Sequence, residues 1–456
     1  MTRNTRFRLA YMASDLVMLN IGWTLFNLVR YYTLPPEYGS LSLQTFFWLP
    51  QIVMGQILIP LLMLGFYALS GFYNEAVFKS RLDDIRNTFA VTVAGMLAVY
   101  FAVLVNDTIP ERMRVYETML VLFGLLAFPT LLGRLAITYV QRIRGISGPG
   151  FCKAVIVGDR SGATMLARRL QDSRGIKMFE IVGIMSPDEA STETLARSGA
   201  QAIIVAPDSR PAAESVGLLA TLYRTDLQIF ITPHLYQLIT SRPRIDAIVG
   251  EPLINITNAN LSPSTQNFKR VGDVVFSAAA MMVLLPVYAA IALAVRIDSP
   301  GPVIYRQQRL GYHKKKFYIL KFRTMRAGAE EHGPALSAPG DSRITRVGRF
   351  LRKYRLDELP QFWNVLRGHM SLVGPRPERE FFARQIQERV PYYSLIHQVR
   401  PGITSLGMVK YGYATTVDEM IERLRYDLLY IENVSFGLDI KILFHTVNTV
   451  ITGRGI

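Results

Sequence analysis

The chain has 456 residues, enough for two or three domains, and it combines a net charge of +16 with an apolar content of 50%. A single cysteine, Cys152, excludes an intrachain disulfide. The excess positive charge is concentrated between Ser262 and Arg376, a segment with 19 lysines and arginines and 7 acidic residues. We therefore expect this segment to bind nucleic acid, anionic lipid or phosphorylated substrates.

Four long apolar stretches come first, each close to the ~20 residues that cross a bilayer. They are Leu9–Val29, Phe46–Leu69, Ile85–Val105 and Thr118–Tyr139. Four buried helices of this length would be unusual in so short a soluble segment, so we predict a four-helix transmembrane bundle over residues 1–145. Basic residues before the first stretch, between the second and third, and after the fourth place both ends of the bundle in the cytoplasm. Arg112 and Arg114 would then lie outside, against the rule.

Residues 146–262 alternate strand-like and helix-like segments. The strand-like runs are Phe151–Gly158, Phe179–Met185, Gln201–Ala206 and Leu227–Thr232, and the helical patterns include Gly162–Gln171 and Ala212–Tyr223. Such alternation predicts a Rossmann-like domain with a parallel sheet. A dinucleotide fingerprint needs a second glycine where this chain has Arg160, because the backbone approaches the pyrophosphate there. A structural or regulatory domain with a decayed site is therefore favoured over a working nucleotide site.

A fifth apolar stretch, Val271–Val295, contains Pro286 and is flanked by the basic residues Lys269, Arg270 and Arg296. Proline removes one backbone hydrogen bond and bends a helix. Basic residues at both ends favour the cytoplasm for both. We therefore predict a re-entrant helix over residues 271–296, broken at Pro286, rather than a kinked fifth span.

Asp357 and Glu358 follow a run of basic residues and precede Pro360. Proline is tolerated in the first turn of a helix, so we predict that Asp357 or Leu356 caps a helix through Phe362–Leu366. Capping is the common use of such acids. Carboxylates among arginines can instead bind Mg²⁺, attack a phosphorus atom, or do both.

The sequence around these acids resembles the bacterial sugar transferase family, whose members are polyprenyl-phosphate sugar-1-phosphate transferases, also called monotopic phosphoglycosyl transferases. The resemblance covers about residues 268–456. It rests on four segments in the family's order and spacing, which are Tyr318–Met325, Arg352–Gln361, Asn364–Glu378 and Val399–Thr404. The apolar stretches and the Rossmann-like segment resemble the large branch of the family. One residue and one segment depart from its pattern. Leu285 replaces a serine, and Ser405–Met408 replaces Gly-Leu-Trp-Gln. The second departure concerns sugar or nucleotide preference more than the reaction.

The resemblance implies a transferase of the bacterial inner membrane with its catalytic domain on the cytoplasmic face. It would move a hexose 1-phosphate, usually of glucose or galactose, from a UDP-sugar to undecaprenyl phosphate. UMP would be released, and exopolysaccharide, capsule or O-antigen synthesis would begin. Asp357 would be the nucleophile and a Mg²⁺ ligand, and Glu358 would assist, by deprotonating the lipid phosphate or by completing the metal site. The implied phosphate contacts are Lys321, Arg323, Arg343, Arg352, Arg376 and Arg400, with Pro375 and Pro377 shaping the Arg376 loop.

We therefore predict a membrane protein of the α plus α/β class. It has a four-helix transmembrane bundle (1–145), a Rossmann-like parallel-sheet domain (146–262) and a mainly α catalytic domain with a re-entrant membrane helix (263–456). Lys314–Lys316 is interpreted as a patch for inner-membrane lipid headgroups. Five apolar residues share one face of a late helical pattern, which suits core packing or an interfacial helix equally: Phe436, Ile440, Leu443, Phe444 and Val447. A homodimer is left open.

A membrane-anchored nucleotide-sugar dehydratase or epimerase is the alternative for the whole protein. It would need an intact glycine fingerprint and a Tyr-x-x-x-Lys pair. Tyr312–Lys316 has that spacing but lies in a basic loop outside the predicted sheet domain. Nucleic acid binding is not expected, because no recognition helix or aromatic platform accompanies the basic segment.

Overall fold

A computed structural model of the chain describes residues 3–33, 41–74, 81–101, 112–143, 152–172, 179–206, 217–232 apart from 220, 224 and 226, 253–256, 262–326, 328 and 341–452. These residues divide into two compact units. The first contains the helices before residue 144 and the first turns of the helix that begins at Pro263. The second contains the sheets and the other helices.

The first unit is built of helices. They are α1 (Arg3–Thr33), α2 (Leu43–Phe47), α3 (Pro50–Leu69), α4 (Arg81–Val99) and α5 (Arg112–Ile143). Within the described residues, three segments are long and apolar enough to cross a membrane: Thr5–Thr33, Pro50–Leu69 and Tyr116–Gln141. The predicted stretch Ile85–Val105 begins in α4 and runs beyond the described residues at 102–105. The prediction of four spans therefore stays a prediction.

A buried ion pair lies inside this unit. Arg134 of α5 donates to Asp15 of α1 at 2.6 Å, and both side chains are fully buried. The Tyr73 hydroxyl donates to the same carboxylate at 2.6 Å, and Thr88 of α4 accepts from Arg134 at 2.7 Å. The ring of Phe72 covers the guanidinium, 3.6 Å from ring centroid to Cζ. This cluster links three helices and the turn that follows α3.

The second unit begins with a five-stranded sheet in the order β2-β1-β3-β4-β5. Its elements are β1 (Cys152–Val157), α6 (Arg160–Asp172), β2 (Phe179–Met185), α7 (Thr192–Arg197), β3 (Ala202–Val205), β4 (Gln228–Ile231) and β5 (Ile254–Asn255). β1 pairs with β3, and β3 with β4, in parallel, as the sequence predicts. β5 is antiparallel and was not predicted. Of the predicted helix Ala212–Tyr223, residues 217–219 and 221–222 are helical, while 212–216 and 220 lie outside the described residues, as does the predicted linker at 145–150.

Gly158, at the end of β1, has a packing role. A Cβ atom on Gly158 would lie 2.7 Å from the Cβ of Ala206, which follows β3. The first glycine of the would-be fingerprint is therefore explained by the close approach of two strand ends, without a nucleotide.

The remaining part of the second unit contains mostly helices. They are α8 (Pro263–Val283), whose first turns belong to the first unit, α9 (Leu285–Asp298), α10 (Arg346–Lys353), α11 (Gln361–Leu366), α12 (Glu380–Arg389), α13 (Leu406–Lys410), α14 (Val417–Glu432) and α15 (Phe436–Ile451). The strands are β6 (Ile304–Leu310), β7 (Lys316–Phe322), β8 (Ser371–Val373) and β9 (Gly402–Thr404). β6 and β7 form an antiparallel hairpin, and β8 and β9 pair in parallel.

Two apolar cores hold these elements together. The larger one joins β7, β8, α12, α14 and α15 through residues such as Phe317, Met370 and Tyr430. The smaller one joins α9 to β7 and α10 through Val295, Phe322 and Leu351. Both cores pack against β7, so β7 is held from both sides.

α8 and α9 meet at Leu284 and are bent by 63°. Pro286 lies in the first turn of α9, where its missing N–H has no helical partner to lose. Backbone hydrogen bonds continue on both sides, from Leu284 to the Ala280 carbonyl and from Tyr288 to the Leu284 carbonyl, each 2.9 Å. Met282, Val283 and Leu285 at the bend are exposed.

Candidate active site

Asp357 and Glu358 lie in a single 3₁₀ turn, Leu356–Glu358, and not at the start of a helix. The predicted cap is therefore wrong. α11 begins at Gln361 with Pro360 in the capping position, and neither acid bonds its first N–H groups. Pro360 has near-helical dihedrals (φ −61°, ψ −13°), so the turn continues through it and the carboxylates are left free for other contacts.

Arg355 sets the direction of this turn. Its φ of 53° lies in the left-handed region, which costs a side-chain-bearing residue about 1–2 kcal/mol. Its carbonyl accepts from the Glu358 N–H at 3.2 Å. Strain of this kind persists only where surrounding contacts fix it, and such residues cluster at functional sites.

Glu358 is surrounded by three cations. Lys321 Nζ donates to its Oε1 at 2.7 Å, and the guanidinium groups of Arg355 and Arg376 each lie 3.8 Å from its oxygens. Burial raises the pKa of Glu358, but Lys321, Arg355 and Arg376 outweigh burial and hold the pKa well below its usual range. Glu358 is therefore an anion at neutral pH.

Asp357 lies in the opposite electrostatic situation. Its Oδ2 is 4.0 Å from Lys321 Nζ, beyond hydrogen-bond distance. Burial raises the pKa of Asp357 to about 6; Lys321 opposes this shift and the negative charge of Glu358 adds to it. The surroundings thus shift the pKa values of the two adjacent acids in opposite directions. Asp357 is the better candidate to bind a metal ion or to form a covalent bond.

Two strands and a helix bring the cations of the site together. Lys321 extends from β7, opposite Tyr305 of the hairpin. Arg352, in the last turn of α10, donates to the Thr324 hydroxyl at 2.9 Å, and its charge lowers the pKa of Asp357. Arg376 comes from the loop after β8. Lys321, Arg352 and Arg376 of the sequence-predicted set therefore gather around the two carboxylates.

The Arg376 loop is held on several sides. The Pro375 carbonyl accepts from the Gly402 N–H at 3.0 Å, and the Pro377 carbonyl accepts from Arg309 at 3.1 Å. Glu378 then pairs with Arg423 of α14. The two prolines thus frame Arg376 by restricting the backbone and by offering carbonyls to neighbouring segments.

Three predicted phosphate contacts are engaged elsewhere. Arg323 is buried and donates to the Ser299 carbonyl at 2.6 Å, at the end of α9. Arg343 forms a bidentate pair with Asp341, at 2.9 and 2.6 Å, and this hydrogen bonding lowers the pKa of Asp341 to about 2. Arg400 donates to the Gly368 carbonyl at 3.1 Å. These hydrogen bonds go to backbone carbonyls and to Asp341, and not to Asp357 or Glu358.

Sequence reasoning missed several residues of this region. Arg355 stands in the basic run that was singled out, but its left-handed conformation has no sequence signal. Met408 and Tyr413 contact the arginines of the site; Met408 is the last residue of the segment that departs from the family pattern, and Tyr413 follows that segment. That departure was the available signal.

The carboxylate pair suits Mg²⁺. Mg²⁺ binds oxygen ligands, keeps several waters and commonly uses one or two carboxylates together with substrate phosphates. Burial raises the pKa of Asp357 and Lys321 approaches it only to 4.0 Å, so a bound metal ion would stabilise its charged form. Among the described residues no group of three or more His, Cys, Asp or Glu side chains forms a metal cage. A site of one or two carboxylates completed by phosphate is the arrangement these residues fit.

Comparisons with known proteins cover this same region. The model of the family described as bacterial sugar transferase matches residues 264–453. The UDP-glucose:undecaprenyl-phosphate glucose-1-phosphate transferase of Caulobacter vibrioides is 43% identical over 186 residues, 40% of this chain and 70% of that protein. The exopolysaccharide production protein PSS of Rhizobium leguminosarum is 40% identical over 195 residues, 41% of this chain and 97% of that protein.

A longer match includes sequence before the candidate site. The UDP-N-acetylgalactosamine-undecaprenyl-phosphate N-acetylgalactosaminephosphotransferase of Aeromonas hydrophila is 38% identical over 248 residues, 54% of this chain. The match covers 58% of that protein, so the chain spans little more than half the length of this relative. The stretch that matches the family model, residues 264–453, contains the two carboxylates and their cations.

Proposed function

The chain belongs to the bacterial sugar transferase family, and we propose that it transfers a hexose 1-phosphate from a UDP-sugar to undecaprenyl phosphate, with release of UMP. One observation carries the proposal: a buried carboxylate pair held among Lys321, Arg352, Arg355 and Arg376. Four cations against two acids leave two positive charges, which match the two charges of a nucleoside diphosphate sugar. This reaction would begin the synthesis of an exopolysaccharide, capsule or O-antigen.

In the first step Asp357 attacks the β-phosphorus of the UDP-sugar. The bond from that phosphorus to the bridging oxygen breaks, and UMP leaves with the electron pair. A sugar-phosphoryl aspartate results. In the second step a phosphate oxygen of undecaprenyl phosphate attacks the same phosphorus and releases the Asp357 carboxylate. With a pKa near 6, Asp357 is largely ionised at neutral pH and can act as the nucleophile.

Glu358 has a different role in the proposed reaction. A group whose pKa is held low by three cations is a weak base, which argues against deprotonation of the incoming lipid phosphate. Its contacts support a positioning role, because one carboxylate aligns Lys321, Arg355 and Arg376 around the reacting phosphorus. Those cations stabilise the charge that develops on the phosphate oxygens and on departing UMP.

Asp357 would hold Mg²⁺, with Glu358 beside it. When bound, the ion neutralises diphosphate oxygens and so makes UMP a better leaving group. Lys321 and Arg376 would then orient the diphosphate from the other side, each through charge-assisted hydrogen bonds.

The protein is proposed to lie in the inner membrane with its catalytic region on the cytoplasmic face. The apolar helices α1, α3 and α5 support membrane insertion, and with α4 they would form the four-span bundle. The outer face of α15 supports the interfacial alternative for that helix, because Phe436, Phe444 and Ile451 are exposed while Ile442 is buried in the core. The bent pair α8–α9 would be the re-entrant hairpin. The sheet of β1–β5 would be a Rossmann-like domain with a structural or regulatory role.

A panel of UDP-sugars incubated with membranes that contain the protein tests the function. We expect release of UMP with one or two of the sugars and only in the presence of a polyprenyl phosphate at multiple turnover. Without the lipid, the purified enzyme should release UMP in an amount equal to the enzyme present. Asp357→Asn should release none in either assay. Turnover near wild type in that variant, or no UMP from any UDP-sugar, would contradict the proposal.

A further inference from the structure

The segment after α13 returns the chain to the candidate site. α13 ends at Lys410, and Gly412 has a φ of +97°, which side-chain-bearing residues rarely adopt. This turn brings the next residue, Tyr413, against two arginines. The Cζ of Arg355 lies 5.1 Å from the centre of the Tyr413 ring, and the Cζ of Arg376 lies 5.3 Å from it.

The Tyr413 hydroxyl has a defined hydrogen-bond arrangement. Its oxygen accepts from Nε of Arg355 at 3.0 Å and from Nη2 of the same guanidinium at 2.9 Å. A guanidinium donates but cannot accept, so the hydrogen of the hydroxyl is directed to neither nitrogen. Within the stretches of chain that the structure describes, no carbonyl or carboxylate accepts that hydrogen, and Tyr413 is partly exposed. The hydroxyl therefore has one donor available for a bound molecule.

The arginines around Tyr413 restrict what that molecule can be. Arg355 and Arg376 both contact Glu358 at 3.8 Å, and Arg376 Nη1 also lies 3.2 Å from the Met408 sulfur. A donor hydroxyl at the border of a cationic cluster suits an anion with several acceptor oxygens. A phosphate group that occupied this cluster would meet two guanidinium groups and the phenol together.

We propose that Tyr413 is a substrate-binding residue whose hydroxyl donates a hydrogen bond to a diphosphate oxygen of the nucleotide sugar. This inference rests on the proposed function for the identity of the substrate. Arg355 prepares the hydroxyl by occupying its oxygen. Met408, the last residue of the segment Ser405–Met408, contacts Arg376 beside Tyr413.

Calorimetric titration of UDP into the full-length protein in detergent, with Mg²⁺ present, tests the proposal. Tyr413→Phe keeps the aromatic ring and removes the hydroxyl. We expect it to bind UDP about tenfold or more weakly, the size of one lost hydrogen bond to a charged group. Tyr411→Phe is the matched control, because Tyr411 is exposed and lies two residues earlier on the same turn. It should bind UDP as the wild type does.

The pH profile of UMP release separates substrate contact from support of Arg355. A residue that acted only through Arg355 would alter the charge balance at Glu358 and shift the profile. That outcome would overturn the proposal, as would equal UDP affinity in Tyr413→Phe and the wild type. Weaker UDP binding with an unchanged profile supports it. A wild type that binds UDP but releases no UMP would count against the proposed function alone.

Discussion

Asp357 and Glu358 are adjacent carboxylic acids, yet the fold shifts their pKa values in opposite directions. Lys321 lies 2.7 Å from one carboxylate and 4.0 Å from the other. That difference, together with two guanidinium groups on Glu358, lowers one pKa while burial raises the other. Burial and the neighbouring charges thus distinguish the two acids even without a bound substrate.

Asp357→Asn should be inactive but more stable than the wild type near neutral pH. The folded-state pKa of about 6 exceeds the ordinary value of 3.8, so the folded protein binds this proton more tightly than the unfolded chain does. Ionised Asp357 therefore destabilises the fold above pH 6, by up to about 3 kcal/mol, and the effect disappears below pH 4. Thermal unfolding in detergent at pH 7.5 and at pH 4 measures the difference between variant and wild type.

Glu358→Gln is the matched control and should behave in the opposite way. Because the pKa of Glu358 is lowered on folding, its charge contributes stability above its ordinary pKa, and that contribution is lost as the pH falls through the folded-state value. The glutamine variant should thus unfold at a lower temperature at pH 7.5. Two variants that shifted stability in the same direction would contradict the assigned electrostatics.

Single residues also show where sequence reasoning ends. Lys321 and Arg376 lie beside Glu358, while Arg323 and Arg343 come from equally basic segments and bind Ser299 and Asp341 instead. Composition cannot distinguish these cases, because each depends on which acceptor the fold brings within 3 Å. The conformation of Arg355 is likewise a tertiary outcome.

The sequence predicts helices and strands where one pattern of apolar residues is clear. β1 is a continuous apolar run and its residues Ala154–Val157 are fully buried, as expected for a parallel strand covered on both faces. The sequence predicts a helix start at Leu356–Glu358 where the structure has a 3₁₀ turn, because Pro360 is compatible with both. The hairpin β6–β7 was not predicted, since its strands contain Arg306, Arg309 and Lys316 and lack a clear alternation.

The buried pair Asp15–Arg134 should control how the helices of the first unit pack. Removing one partner of a buried pair leaves an uncompensated charge and typically costs about 3–5 kcal/mol. Arg134→Met should therefore lower the unfolding temperature strongly. The double variant Asp15→Asn with Arg134→Met should recover part of the loss, because no unpaired charge remains. A double variant that is less stable than either single variant would contradict this account.

At the scale of the whole molecule, the region that matches the family model should be able to act by itself. The Rhizobium leguminosarum protein is matched over 97% of its length by 41% of this chain, so a relative of nearly this extent occurs alone. A fragment of residues 262–456 in detergent should release UMP from the same UDP-sugar as the full chain. A well-folded fragment without activity would show that the preceding residues contribute to catalysis.

The bent pair α8–α9 raises the question of which side of the membrane the catalytic region occupies. As one straight helix its 21 and 14 residues would extend about 50 Å, more than the ~30 Å of a bilayer core. Both arms nevertheless bind the same folded region. Asp273 in α8 accepts from the Leu372 N–H at 3.2 Å, and Asp298 at the end of α9 accepts from the Val347 N–H at 3.1 Å.

Two ends held by one folded region cannot lie on opposite faces of a bilayer, so we predict that the pair enters and leaves by the cytoplasmic face. Gln266→Cys and Pro302→Cys, each in a Cys152→Ser background, place thiols at exposed positions in the first turn of α8 and after α9. Both should resist an impermeant thiol reagent in intact spheroplasts and react after lysis. Glu37→Cys, between the first two predicted spans, is the control. It should react in intact spheroplasts, which would show that the reagent reaches the outer face. Labelling of the position-302 thiol from outside would mean that the pair crosses the membrane, and the UDP-sugar would then have to be bound on the other side.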